Sequence, residues 1–278
     1  MNRTKKLGNT DTNIPALGLG TFLMPGDDVL RMVPHALEIG YRHIDTAQIY
    51  GNEAEVGAAI DASGVARPDI FLTTKVWVDR YRSEDLLRSV EESLRKLRTD
   101  YVDLLLLHWP NPAVPLAETV AALNQVQSAG MARHIGVSNF TTALMAEAVS
   151  LSEQPLVTNQ VEYHPYLDQR KIIDAGRQAN MTLTAYFSLA KGSVIGDPVL
   201  RQIGQRHGKD EAQVALRWLI QQPDVVALTK TVREARALSN FNIFDFELSP
   251  AEMTAIHQLA RRDGRLVSPE GLAPEWDD

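Results

Sequence analysis

The chain has 278 residues, 28 Lys and Arg against 35 Asp and Glu, a formal net charge of −7 and no cysteine. That length can bury a sizeable core, the interspersed charges argue against nucleic-acid or anionic-membrane partners, and the lack of cysteine removes disulfides and thiolate chemistry. No apolar signal region follows the basic opening MNRTKKLGNT and no run reaches the length of a membrane span, so the chain reads as a cytoplasmic protein.

A hairpin is expected first, in TKKLGNTDTNIPAL, with Gly8, Asn9 and Asp11 as turn residues. Short apolar runs then alternate with stretches of helical spacing. LGLGT precedes 28–40, RHID precedes 53–63, and IFLTTK precedes 83–97. VDLLLLH comes before 116–129, HIGVSN before 141–151, and LVTNQVE before 169–180. LTAYF leads into two helical stretches, 197–207 and 211–222, and VVALTK leads into 234–241. Nearly continuous Val, Ile and Leu indicate strands covered on both faces, as in parallel sheets. Eight such units in one chain of this length predict a (β/α)8 TIM barrel, with no linker to divide 1–278 into more than a single domain. A further helix at 250–261 and the tail DGRLVSPEGLAPEWDD lie outside the repeat.

Active sites of such barrels sit at the C-terminal ends of the strands. Those ends are unusually polar: Asp45, Lys75, His108, Ser138 with Asn139, and Asn159 with Gln160 and Glu162, followed by Tyr186 and Ser188, then Thr229, Lys230 and Thr231. Each alone reads as a strand cap or a structural pair, but a carboxylate ending an apolar run is costly to bury without a cation. Adjacent strands are about 4.8 Å apart, which puts Asp45, Lys75 and His108 on neighbouring strands at one level and makes Lys75 the partner of Asp45. Such an ammonium would lower the pKa of a nearby phenol, making Tyr50 a general acid. A phenolic acid beside a histidine, with no nucleophile, suits reduction of a carbonyl by a hydride-carrying cofactor.

Other constellations are missing. GLG at residues 18–20 lacks the third glycine of a dinucleotide fingerprint, no phosphate loop occurs, and the seven histidines lack metal-binding spacing, so no metal is expected.

The strings GLGT, GYRHIDTAQIYGNE, TTKVW, YVDLLLLHWP, IGVSNF and NQVEYHP, in this order over nearly the whole chain, resemble the motifs of the aldo-keto reductase superfamily. Within it, the chain is similar to small bacterial reductases of 2,5-diketo-D-gluconate and related dicarbonyls, the tail RLVSPEGLAPEWD included. The resemblance assigns a catalytic tetrad to Asp45, Tyr50, Lys75 and His108, the residues already reached from the strand ends. It implies that Ser138, Asn139 and Gln160 hold a nicotinamide carboxamide, that Tyr186 stacks on the ring, and that the loop from Phe187 to Gly192, with Ser188 and Leu189, covers the pyrophosphate. The family's clamp for an adenosine 2′-phosphate, Pro-Lys-Ser, Arg and Glu-Asn, corresponds to Thr229-Lys230-Thr231, Arg236 and Ser239-Asn240, which implies NADPH. Thr229 in place of Pro is expected to loosen that loop, and Ser239 in place of Glu to remove an adenine contact. Phe22, Gln48, Trp77, Trp109 and Trp276 are placed near the substrate; Phe22 stands where many relatives have Trp, and Gln48 where others have Ala or Trp. The expectation is a monomeric NADPH-dependent reductase of small dicarbonyls and keto sugar acids. Alcohol oxidation with NADP⁺ and a nicotinamide-binding regulatory module are the rival readings.

Overall fold

The computed structural model describes residues 3–277. The hairpin forms as expected: β1 (Thr4–Lys6) pairs antiparallel with β2 (Asn13–Pro15), and Gly8 turns the chain at φ +55°. Its apolar side chains Leu7 and Ile14 are fully buried in a cluster with Phe71, Leu104, Leu106, Val157 and Val226, so the hairpin closes the N-terminal end of the barrel.

Eight parallel strands close that barrel in the order β10-β3-β4-β5-β6-β7-β8-β9. They are β3 (Leu17–Gly20), β4 (His43–Asp45), β5 (Phe71–Val76), β6 (Val102–Leu107), β7 (Ala132–Ser138), β8 (Leu156–Glu162), β9 (Thr182–Tyr186) and β10 (Val225–Thr229). Between them run α1 (Gly26–Ile39), α2 (Glu53–Ala62), α3 (Ser83–Leu97), α4 (Leu116–Ser128), α5 (Thr142–Leu151), α6 (Arg170–Gln178) and the pair α7 (Pro198–His207) and α8 (Glu211–Gln221). After β10 come α9 (Glu234–Phe241), α10 (Pro250–His257) and the tail. α10 stops short of the expected 261. Capping sharpens several starts: Asp197 accepts from Val199 and Leu200 at α7, and reciprocal capping boxes open α8 (Asp210 with Gln213) and α10 (Ser249 with Glu252). Among the described residues, no helix is long and apolar enough to cross a membrane.

The GLG string has a packing reason. A Cβ on Gly18 would stand 2.7 Å from the ring of His43, so the missing side chain is the space that the imidazole fills. His43 is fully buried with Nε2 3.1 Å from Thr73 Oγ1, and burial pulls its pKa down from 6.5 to about 4, Asp45 opposing and Lys75 adding. The unfolded chain therefore binds a proton that the folded chain refuses between those two values. Stability should fall as pH falls through that window, by up to about 3 kcal/mol. Urea midpoints measured across it should show a shallower slope for His43→Gln; an unaltered slope would assign the acid sensitivity to other groups.

Candidate active site

The C-terminal mouth of the barrel gathers the polar strand ends, but not at one level. Asp45 pairs in register with Thr73, and Lys75 with Leu106, so Lys75 lies two residues beyond the partner of Asp45, and His108 two beyond the partner of Lys75. The expectation of a common level ignored the stagger that barrel closure imposes; strand tilt recovers part of the offset. The length of the lysine side chain spans the rest.

Its Nζ donates to Asp45 Oδ1 at 2.5 Å, to the Thr46 carbonyl at 2.8 Å and to Tyr50 Oη at 3.4 Å. Lys75 and Asp45 side chains are 0% and 3% exposed. Burial pulls the lysine pKa down, and the attraction and hydrogen bond of Asp45 oppose it. Tyr50 is the last residue of a short 3₁₀ turn, Gln48–Tyr50, that Gly51 ends at φ +68°. Its ring lies 5.6 Å from that of His108, nearly perpendicular, and 5.0 Å from Phe22.

The electrostatics differ from the sequence expectation at this tyrosine. Burial pushes the Tyr50 phenol well above its usual range and the negative charge of Asp45 pushes the same way, so the phenol is protonated rather than acidified. The residue keeps part of its surface open at the mouth, so water reaching it moderates the burial effect. His108 moves oppositely: burial, then the Lys75 charge, hold its imidazole neutral, and its buried Nδ1 has no hydrogen-bond partner among the described residues.

Ser138, Asn139, Gln160 and Tyr186 form a belt of hydrogen bonds across neighbouring strand ends. Gln160 Nε2 donates to Asp45 Oδ2 at 2.8 Å, so both oxygens of that carboxylate are satisfied. Ser138 donates to the Gln160 carbonyl, and Asn139, left-handed at φ +64°, donates to the His108 carbonyl and Ser138 Oγ. Tyr186 Oη donates to Asn139 Oδ1 at 2.7 Å, while its ring is partly open. Sequence reasoning gave this group to a ligand; the geometry shows that its N–H and O–H groups also fasten the mouth, leaving Gln160 Oε1 and the Tyr186 ring face. In the following loop Ser188 Oγ donates to the Ala185 and Leu228 carbonyls, tying the loop to β10, and Leu189 packs on the core. Phe187, Ala190 and Lys191 are left-handed at φ +53°, +48° and +54°, a cluster of backbone strain of the kind that concentrates at ligand clamps.

Beyond β10, Lys230 and Arg236 are exposed at the start of α9, and neither side chain has an ion-pair partner among the described residues. Glu234, the acidic residue of that first turn, is paired with Arg31 at 3.1 Å. Thr231 Oγ1 accepts from the Arg233 amide. Thr229 does not loosen the segment: its Oγ1 accepts from the buried Asn240 Nδ2 at 2.9 Å, a tie that proline could not make. Ser239 faces Asp210, the cap of α8, at 3.4 Å.

Of the five substrate-side residues, Gln48 is turned away. Its amide nitrogen donates to Ser89 and Ser93 on α3, and its oxygen accepts from the Trp77 amide at 2.9 Å, so it props the backbone that carries Trp77. The Trp77 ring stands edge-on to His108 at 5.2 Å, Phe22 is 41% exposed beside Tyr50, and Trp109 meets Trp276 of the tail at 6.2 Å. Two contacts were absent from the sequence reading: Tyr81 Oη holds the Trp109 backbone, and Phe187 lies 6.5 Å from Phe22.

A closed (β/α)8 barrel with a lysine, a carboxylate, a phenol and an imidazole converging at its C-terminal mouth defines a barrel enzyme with proton-transfer groups and no built-in hydride source. Residues 16–261 match the Aldo/keto reductase family, and the chain belongs to that family, whose members are oxidoreductases that act on carbonyl groups with a nicotinamide cofactor. It is 45% identical over 267 residues, 95% of this chain and 99% of the other, to a methylglyoxal reductase, DkgB, of Escherichia coli O157:H7. It is 40% identical over 270 residues, 97% of each chain, to a glyoxal reductase of Bacillus subtilis (strain 168). A crystal structure described as a 2,5-diketo-D-gluconic acid reductase B superposes with a TM-score of 0.98 at 60% identity, covering 100% of this chain and 98% of the other. The residues fit a nicotinamide dinucleotide: the Tyr186 ring face and Gln160 Oε1 are left open at the mouth, and Lys230 and Arg236, at the start of α9, have no ion-pair partner among the described residues.

Proposed function

We propose that this protein is an NADPH-dependent reductase of aldehydes and ketones, acting as a monomer in the cytoplasm on small dicarbonyls such as methylglyoxal and on keto sugar acids such as 2,5-diketo-D-gluconate. The observation that carries the reading is the reach of Lys75 Nζ to both Asp45, at 2.5 Å, and the Tyr50 hydroxyl, at 3.4 Å, beside a neutral His108. The names of the relatives, which specify methylglyoxal, glyoxal and 2,5-diketo-D-gluconate, support the substrate class.

When bound, the nicotinamide supplies the hydride that adds to the carbonyl carbon. As the carbonyl oxygen gains negative charge, the protonated Tyr50 donates a hydrogen bond and then its proton to it, because an alkoxide is a stronger base than a phenolate. Lys75, held charged by Asp45, stabilises the phenolate left behind, and the neutral imidazole of His108 donates an N–H that orients the substrate oxygen. The Tyr186 ring and Gln160 Oε1 would hold the nicotinamide, the loop at 187–192 would cover the diphosphate, and Lys230 with Arg236 would take a 2′-phosphate at the α9 N-terminus.

Titrating NADPH and NADH into Arg236→Ala tests the cofactor assignment. NADPH binding should weaken roughly 10- to 100-fold, as for loss of a charged hydrogen bond, with NADH affinity spared. Equal losses for both cofactors would show that Arg236 does not meet the 2′-phosphate.

A further inference from the structure

We propose that Glu162 is a positioning residue for substrate selection: its carboxylate, oriented by His164, clasps the C-terminal tail and so fixes where Trp276 stands against Trp109. This rests on the carbonyl-reductase reading and adds to it the residue that sets the far wall of the mouth.

Glu162 ends β8, two residues beyond Gln160, and its side chain is fully buried. Its place is over-determined: it pairs in register with Tyr186, and its carbonyl accepts from Gln169 Nε2 at 2.7 Å. Oε1 accepts from His164 Nε2 at 2.9 Å and from the Leu266 amide at 2.8 Å, while Oε2 accepts from the Val267 amide at 2.9 Å. His164 Nδ1 accepts from the Tyr166 amide, which leaves the ring proton on Nε2, aimed at the carboxylate. Three N–H donors thus meet the two oxygens of one buried carboxylate.

The clasp matters because it fixes the stretch of tail that leads to Trp276. A cavity of about 1190 Å³ lies between the tail and the barrel wall, lined among others by Tyr163, Arg170, Trp218, Arg265 and Trp276. The chain spans it from two anchorages. At the near end the Arg261 amide donates to the Tyr166 carbonyl, a Cβ on Gly264 would lie 1.8 Å from that same oxygen, and the Glu162 clasp follows. At the far end Asp277 accepts from the amide and hydroxyl of Thr142 at the start of α5, at 2.9 and 2.8 Å. Between them Trp276 meets Trp109, the residue after His108, and Arg265 covers its ring at 3.9 Å. The family match ends at Arg261, where the strap begins, while the superposed reductase structure covers the whole chain. With the carbonyl at Tyr50 and His108, as proposed, methylglyoxal would need little more, whereas a longer keto sugar acid would extend toward the Trp109–Trp276 wall.

Hydrogen exchange and steady-state kinetics test this separately. In the unaltered protein the Leu266 and Val267 amides should exchange slowest in the tail; if they exchange as fast as those beyond Ser268, the clasp is absent, whatever the enzyme's activity. In Glu162→Gln, which keeps the shape but removes the charge and one acceptor, both amides should lose protection. KM for 2,5-diketo-D-gluconate should rise about 10-fold with kcat within about twofold, KM for methylglyoxal should change less, and NADPH affinity should hold. The KM effect should shrink in a Trp276→Ala background, since both changes act through the same strap. Full additivity of the two, or an equal fall in kcat for both substrates, would overturn the proposal. Should Glu162→Gln not fold, Asp277→Ala removes the two bonds from Thr142 and weakens only the far anchorage, where Lys171 still reaches the carbonyl of residue 277: exchange should then rise beyond Ser268 while Leu266 and Val267 stay protected, and loss of protection at all of them would overturn it equally.

Discussion

Tyr50→Phe should lower turnover of methylglyoxal by at least ~10²-fold while NADPH affinity stays nearly unchanged, because in the proposed mechanism the phenol gives its proton to the reduced oxygen. The substitution is structurally mild. The ring contacts with Phe22 at 5.0 Å and His108 at 5.6 Å survive, as does the approach of Lys75 Nζ to within 5.1 Å of the ring centre. Only the hydroxyl, 3.4 Å from that ammonium, is removed. Because proton donation is realised in the transition state and not in substrate binding, kcat and kcat/KM should fall together. NADPH absorbance gives the rate, and quenching of tryptophan fluorescence gives the cofactor affinity. A phenylalanine variant with wild-type turnover would move the proton source elsewhere, with His108 the next group to test.

The raised pKa of Tyr50 changes how the lysine is understood. From sequence, Lys75 acidifies the phenol; in the folded protein burial, and after it the charge of Asp45, push the phenol the other way and keep it protonated. In the proposed mechanism its donation is then driven by the basicity of the alkoxide, and Lys75 acts after the proton has left, when phenolate needs a counter-charge. The direction of a pKa shift depends on the balance of desolvation and distance, and neither is written in residue spacing.

What was legible in the sequence was whatever burial alone decides. Strands covered on both faces must be apolar throughout, so the eight runs stood out, and Asp45 at the end of one demanded a cation that Lys75 supplied. The turn residues of the hairpin were equally plain at Gly8. What the sequence hid depends on side-chain direction and on barrel closure. Gln160 reaches Asp45 across 115 residues, and no local pattern announces that its amide is committed there. Gln48 occupies the expected turn but points at α3, because two serine hydroxyls and the Trp77 amide offer its amide better partners than solvent does. Thr229 in place of proline suggests a looser loop, but its hydroxyl accepts from Asn240, eleven residues on, which no local pattern announces. Glu162 stood in the list of polar strand ends without a task, since its partners are backbone amides of a tail about a hundred residues away.

Lys75→Met should destabilise the fold by roughly 3–5 kcal/mol, the largest stability loss expected of any single change at the mouth, because it leaves a buried carboxylate without its cation. Asp45 would keep only the 2.8 Å hydrogen bond from Gln160, and the Thr46 carbonyl would lose its donor as well. Turnover should fall too, through the loss of the charge that stabilises a Tyr50 phenolate. The two effects separate in Asp45→Asn/Lys75→Met. With both charges gone, no unpaired ion is buried, so the urea midpoint should recover most of the loss, while turnover should stay as low as in the single variant. A single variant that unfolds at the wild-type midpoint would mean that Asp45 is solvated or protonated in the fold; a double variant that regains turnover would mean that the ammonium serves the architecture of the mouth and not the proton transfer.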